Sequence, residues 1–184
     1  GSNWEFDGSK KIVKKQFEEY MGLSGFPEIV LENKIDFIDQ YFKTMMFQDA
    51  IERYKIKNTE LLRLLMKNMM RQCGQEYSLN KFNNFAKSNG HKSSTSVVQR
   101  YSKILEDIFF CFFINAKQKS FKKESGYLKK AYICDHGFVN YYIAENGPGR
   151  MLENIVFIEL FRRGNVEINC YVTSHMAPFF CLSL

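Results

Sequence analysis

Proline and glycine are scarce, 3 and 11 among 184 residues, which excludes a collagenous or loop-dominated chain. The five cysteines, Cys73, Cys111, Cys134, Cys170 and Cys181, are odd in number, scattered and without a Cys-x-x-Cys pair. That usage argues against a disulfide framework or zinc knuckle and fits free thiols in a reducing cytosol, so a cytoplasmic location is expected. No run approaches the roughly 18 apolar residues of a membrane span. The longest candidate, 108–114, is strand-sized, so no membrane partner is expected. A signal-peptide pattern is missing, and Gly1-Ser2 resembles the scar of a cleaved expression tag, so residues 1–8 are expected to be disordered. A phosphate-binding loop is also missing. Gly90-His91-Lys92-Ser93 has its closing letters without the earlier glycine or the preceding strand, so this chain is not expected to bind ATP. Finally, residues 168–184 contain no Asp, Glu, Lys or Arg. An end with Phe179-Phe180-Cys181-Leu182 is expected to be a buried strand, a truncation or non-native residues, since left unpaired it exposes a large apolar patch.

What is present is a core. Apolar residues make up 45% and aromatics 16%, with 18 Phe, enough to exclude wholesale disorder. The net charge is +6. Residues 60–130 hold 14 basic and 5 acidic side chains, a net of +9, and the remainder carries −3. A basic block on an otherwise slightly acidic chain points to a polyanion, nucleic acid first. Charge alone fits a solvated surface equally well.

Periodicity predicts a short helix over 9–21, with Ile12, Val13, Gln16, Phe17 and Tyr20 on one face. Gly22 and Gly25 stop it, and Pro27 begins a new element. A longer helix is predicted over 32–54, with a buried stripe of Ile35, Ile38, Phe42, Met45, Met46 and Ile51. Asn58 or Thr59 caps the next helix, whose stripe is Leu62, Leu65, Met66, Met69 and Cys73. Ser78 caps another with Leu79, Phe82, Phe85 and Ala86 inward, closed at Asn89-Gly90 through a left-handed residue. One of Ser93, Ser94 and Thr95 caps a third, with Val97, Tyr101, Ile104, Leu105 and Ile108 inward. The period then changes, and residues 110–116, 130–134 and 166–172 read as strands. A strongly apolar helix fills 150–163.

Helix, helix, turn, helix and a strand pair with a basic connection is the order of a winged helix. A helix fits the major groove and meets base edges and phosphates with its outward side chains. On the third helix these are Ser96, Gln99, Arg100 and Lys103, and the inter-strand wing supplies Lys117, Lys119, Lys122 and Lys123 for phosphates. Helical units of this shape also dock proteins, so fold alone leaves both roles open. Cys134-Asp135-His136 offers three metal-ligand types, but strand neighbours point to opposite faces and a satisfied turn is the better reading. Glu153 and Glu159 lie in the apolar helix. Pairing with Arg150, Arg162 or Arg163 at helical spacing explains them more simply than a divalent-ion cluster. No metal site is expected.

Several phrases fall into a known order. They are Tyr20 with Gly25-Phe26-Pro27-Glu28; 47–54; Thr95-Ser96-Val97 with Tyr101 and Leu105-Glu106-Asp107; 131–137; and, most specific, 149–157 followed by Glu159-Leu160 and Arg162-Arg163-Gly164. The series resembles the C-terminal region of a group of bacterial and archaeal AAA-type P-loop ATPases. That resemblance implies a winged helix joined to a restriction-endonuclease-like domain of undefined role, and an ATPase domain elsewhere that takes ATP and magnesium. This chain itself is expected to need no cofactor. Glu153 matches the acid of the nuclease-like helix. The downstream strand that carries its acidic partner in the family is absent here, so no nuclease activity carries over.

The expectation is a mainly α chain with a small β component, α+β. Residues 9–57 form a helical segment from the end of the ATPase lid, 58–134 a winged helix, and 135–184 a partial nuclease-like unit with an atypical tail. An unpaired sheet edge there invites dimerisation. The expected function is a non-catalytic module that binds double-stranded DNA. A protein-interaction module contacting its own ATPase, or a degenerate nuclease, are the alternatives.

Overall fold

Asn58, Ser78 and Ser94 open successive helices. Their side-chain oxygens accept from the backbone N–H of Leu61 at 3.1 Å, Lys81 at 3.3 Å and Val97 at 3.3 Å. Each occupies a donor that the first helical turn leaves without an internal partner. The computed structural model describes residues 3–117, 129–144, 147–164, 167–173 and 176–183. In it the capped helices are α4 (Thr59–Arg71), α5 (Leu79–Ser88) and α6 (Thr95–Asp107).

They follow α1 (Asn3–Gly22), α2 (Pro27–Glu32), α3 (Phe37–Thr44) and a π-helix (Met45–Glu52). Helix α1 starts at Asn3, where disorder to residue 8 was expected. The single helix expected over 32–54 is divided because Asn33 adopts a left-handed conformation, φ 52°, and ends α2. Beyond it the buried face is Ile38, Phe42, Met46 and Ala50, one residue in four. The wider i→i+5 winding of the π-segment keeps that spacing on the core side. Met45 and Ile51 are therefore only half-buried, and Ile35 is exposed.

The stripe on α4 is buried as its spacing predicts. On α5 the inward set is Phe82, Asn83 and Ala86, while Phe85 is exposed. Asn83 goes inward because the following turn satisfies it. Ser93 Oγ donates to its Oδ1 at 2.6 Å, and its Nδ2 donates to Thr95 Oγ1 at 3.3 Å. On α6 Val98 is buried where Val97 was expected, together with Tyr101, Ile104 and Leu105.

Strands β1 (Glu76–Tyr77), β2 (Cys111–Lys117) and β3 (Lys129–Ile133) form an antiparallel sheet in the order β1-β3-β2. Cys111 faces Ile133 and Asn115 faces Lys129 across β2–β3, and Glu76 faces Lys130 across β1–β3. After α7 (His136–Tyr142) and α8 (Pro148–Arg163), β4 (Glu167–Thr173) joins β2 in parallel at Ala116 and Lys117. The charge-free end forms β5 (Met176–Ser183), antiparallel to β4. The chain is mainly helical with a small sheet, the α+β class expected.

One buried cluster runs from Ile29 on α2 through α4, α6 and β3 to Ile155 on α8. A smaller one, Tyr132, Phe157 and Ile158, seats α8 on the β2–β3 face.

Candidate functional site

Ser96, Gln99, Arg100 and Lys103 all lie on the exposed side of α6, opposite buried Val98, Tyr101, Ile104 and Leu105. Their charges are not equally available. Lys103 Nζ is 3.0 Å from Asp107 Oδ1, and that carboxylate raises its pKa. Arg100 Nη2 donates to the carbonyl of Tyr54 at 3.4 Å, and Ser96 Oγ lies 3.0 Å from Ser94 Oγ. Of the wing, Lys117 ends β2, and Lys119, Lys122 and Lys123 lie outside the described residues.

The contact to Tyr54 brings in residues the sequence reading passed over. The backbone N–H of Asn58 donates to Tyr101 Oη at 3.4 Å, and Asn58 Nδ2 donates to the Lys92 carbonyl at 3.1 Å. These bonds hold the connector between the π-helix and α4 along α6. Arg53, Lys55, Lys57 and Lys92 are all exposed. The only hint available beforehand was the density of cations in 53–57.

The connector has a particular backbone. Lys55 N–H bonds the Glu52 carbonyl and Ile56 N–H bonds that of Ile51, the paired bonds of a Schellman ending. Gly90 with His91 closes α5 in the same way, and Phe109 with Phe110 closes α6. The residue in the left-handed seat is Gly90 at φ 80° in one case, but Lys55 at 51° and Phe109 at 58° in the others. A β-carbon in that conformation costs roughly 1–2 kcal/mol.

Asp135 is satisfied as expected, but as the N-cap of α7 rather than in a turn. Its carboxylate accepts from Ser24 Oγ, Gly25 N–H and Gly137 N–H at 2.7–2.8 Å. His136 Nε2 lies 2.7 Å from the Tyr20 carbonyl. A β-carbon on Gly137 would come within 2.7 Å of both Ile38 and Ser24. Tyr20, Gly25, Asp135 and Gly137 thus form one knot tying α1 to α7. Among the described residues no group of three or more His, Cys, Asp or Glu is placed to hold a metal ion, and no helix is long and apolar enough to cross a membrane.

Glu153 does not pair with Arg150 as its helical spacing suggested. It takes the buried Lys130 ammonium and, at 2.8 Å, the Tyr132 hydroxyl, both from β3. A lysine with 1% of its side chain exposed keeps its charge only beside such a partner. Glu159 pairs with Arg163 at 2.7 Å, as predicted. Asn154, which the sequence reading left unassigned, is fully buried and bonds both the N–H and the carbonyl of Ile133, pinning α8 to β3. A groove of about 330 Å³ is lined by Phe26, Met45, Phe109, Phe112, Phe161 and Arg162, with Cys134 and Asp135 also on its wall.

A family model described as a domain of unknown function matches residues 14–148, which include α6, the connector and the Asp135 knot and leave out Glu153. An uncharacterized protein of Methanocaldococcus jannaschii, MJ1544, is 32% identical over 163 residues, 86% of this chain and 36% of that protein. An uncharacterized protein of Haemophilus influenzae is 31% identical over 166 residues, 86% of this chain and 41% of that protein. The chain spans less than half the length of either relative. No solved structure matches it.

Proposed function

The chain belongs to the family of that domain, DUF8612, and on that premise we propose that it is a non-catalytic, duplex-DNA-binding module of a longer protein, with 58–134 acting as a winged helix. The observation that carries this reading is the outward face of α6. Ser96, Gln99 and Arg100 stand exposed along a helix of 13 residues whose opposite side is sealed into the core. The order α4, β1, α5, α6, β2, β3, with β3 between β1 and β2, supports it, because it is the element order of a winged helix, whose third helix enters a groove. An ATPase region of the AAA type, with its ATP and magnesium, belongs in this reading to the part of the protein outside the chain.

The test is a salt series of duplex binding followed by fluorescence anisotropy. Log affinity is expected to fall linearly with log salt, by about 0.9 per phosphate neutralised. Arg100→Ala and Lys123→Ala are each expected to weaken binding, and the double change to remove most of it. Equal affinity for the parent and both variants would overturn the reading. A protein-docking role is the second reading, favoured by the aromatic groove, in which Phe109 is 63% and Phe161 48% exposed. The degenerate-nuclease reading gains no support from Glu153, whose carboxylate is occupied by Lys130 and Tyr132.

A further inference from the structure

We infer that the connector 53–58 is a second phosphate-contacting strip, and that Lys55 and Lys57, rather than the C-terminal half of α6, complete the DNA-facing surface. The inference rests on the duplex-DNA reading above and assigns to that surface residues outside the recognition helix and the wing.

Three observations converge on it. The connector is held against α6 by the bonds from Arg100 to the Tyr54 carbonyl and from Asn58 to Tyr101 and Lys92, so its backbone runs beside Arg100, with Lys55 and Lys57 exposed on it. Among the described residues neither Lys55, Lys57 nor Lys92 has an ion pair, whereas Lys103 is committed to Asp107. Free positive charge is therefore concentrated toward the connector and depleted toward the far end of α6, where Glu106 and Asp107 stand. The acids nearest in sequence, Glu52 and Glu60, bracket the connector without entering it.

The backbone supplies the third observation. Lys55 holds the left-handed seat of a helix ending that glycine fills more cheaply. Strained backbone is often retained at functional positions, and here the left-handed residue is an exposed lysine. Lysine there projects a flexible ammonium from a tight turn, a placement suited to a phosphate and indifferent to base sequence.

The experiment is the same salt series on a short fluorescein-labelled duplex of mixed sequence, with the whole chain, Lys55→Gly/Lys57→Gln, and Lys15→Gln. The last is a charge control on α1, where Lys15 is 3.8 Å from Glu19. The double variant is expected to lower the slope of log affinity against log salt by about 1.8, two phosphates' worth, while melting no lower than the parent because Gly relieves the left-handed seat. The control is expected to keep the parental slope. If the parent binds with a salt slope and the double variant keeps it, the inference is overturned and the DNA reading stands. A loss of slope of about 0.9 in the control, the same per charge removed, also overturns it, since net charge alone would then be responsible. A parent that binds no duplex removes the DNA reading and the inference together.

Discussion

Lys130 has 1% of its side chain exposed and Glu153 21%, so each is partly withdrawn from water and each depends on the other. An ammonium in a low-dielectric interior keeps its charge only if a carboxylate and further hydrogen bonds replace its hydration. Removing one member strands the other. Glu153→Ala is therefore expected to lower unfolding stability by about 3 kcal/mol, the lower end for breaking a buried pair, because Glu153 retains some solvent contact. Lys130→Met/Glu153→Leu is expected to restore most of the loss, since apolar residues of similar volume remove both desolvation costs. Urea denaturation of the three proteins measures this, and a loss below about 1 kcal/mol in the single variant contradicts the pairing account. Helical spacing suggested Arg150 as the partner of Glu153. Arg150 lies in the first turn of α8, but Lys130 and Tyr132 both reach the carboxylate from β3.

At the scale of elements, most boundaries were legible because their causes are local. Asn58, Ser78 and Ser94 cap the helices they precede, and Gly90 closes α5 through a left-handed residue as expected. The end of α6 carried no such signal, because its left-handed seat is filled by Phe109. The same backbone with a bulky aromatic is strained. Phe109→Gly is accordingly expected to raise stability by about 1 kcal/mol, less what is lost from its tilted contact with Phe112 at 6.4 Å. Thermal unfolding reads the sign, and a lower melting temperature would mean that Phe109 contributes more through packing than its conformation costs. The division of the expected 32–54 helix was legible only in part. Asn33 is a recognised occupant of left-handed seats, but a π-segment has no comparable local mark and follows from how Met46 and Ala50 meet the core.

Across the whole molecule, the main core joins α2, α3 and the π-helix to α4, α6, β3, α7 and α8. Cys73 and Cys111 lie inside it, 1% and 0% exposed. Burial pushes the Cys73 thiol up to about 12 and the Cys111 thiol well above its ordinary value. Reactivity requires the thiolate. Both sites are thus expected to resist alkylation in the native protein at mildly alkaline pH and to react together on unfolding in urea, with peptide mapping as the readout. Ready modification of either in the native state would place it in a locally opening segment instead.

The α+β class, helices α4, α5 and α6 with their caps, and the outward set Ser96, Gln99, Arg100 and Lys103 follow from the sequence alone, whereas α7 stands where a turn was expected. Caps, periodicity and turn chemistry act within a few residues of the chain. The placement of the connector beside α6 was decided by tertiary structure, through the bonds from Arg100 to the Tyr54 carbonyl and from Asn58 to Tyr101 and Lys92. The partner of Glu153 and the clamp made by Asn154 on Ile133 were decided there too. Such contacts join residues more than twenty positions apart, and no local pattern encodes which distant group a buried charge or amide will meet.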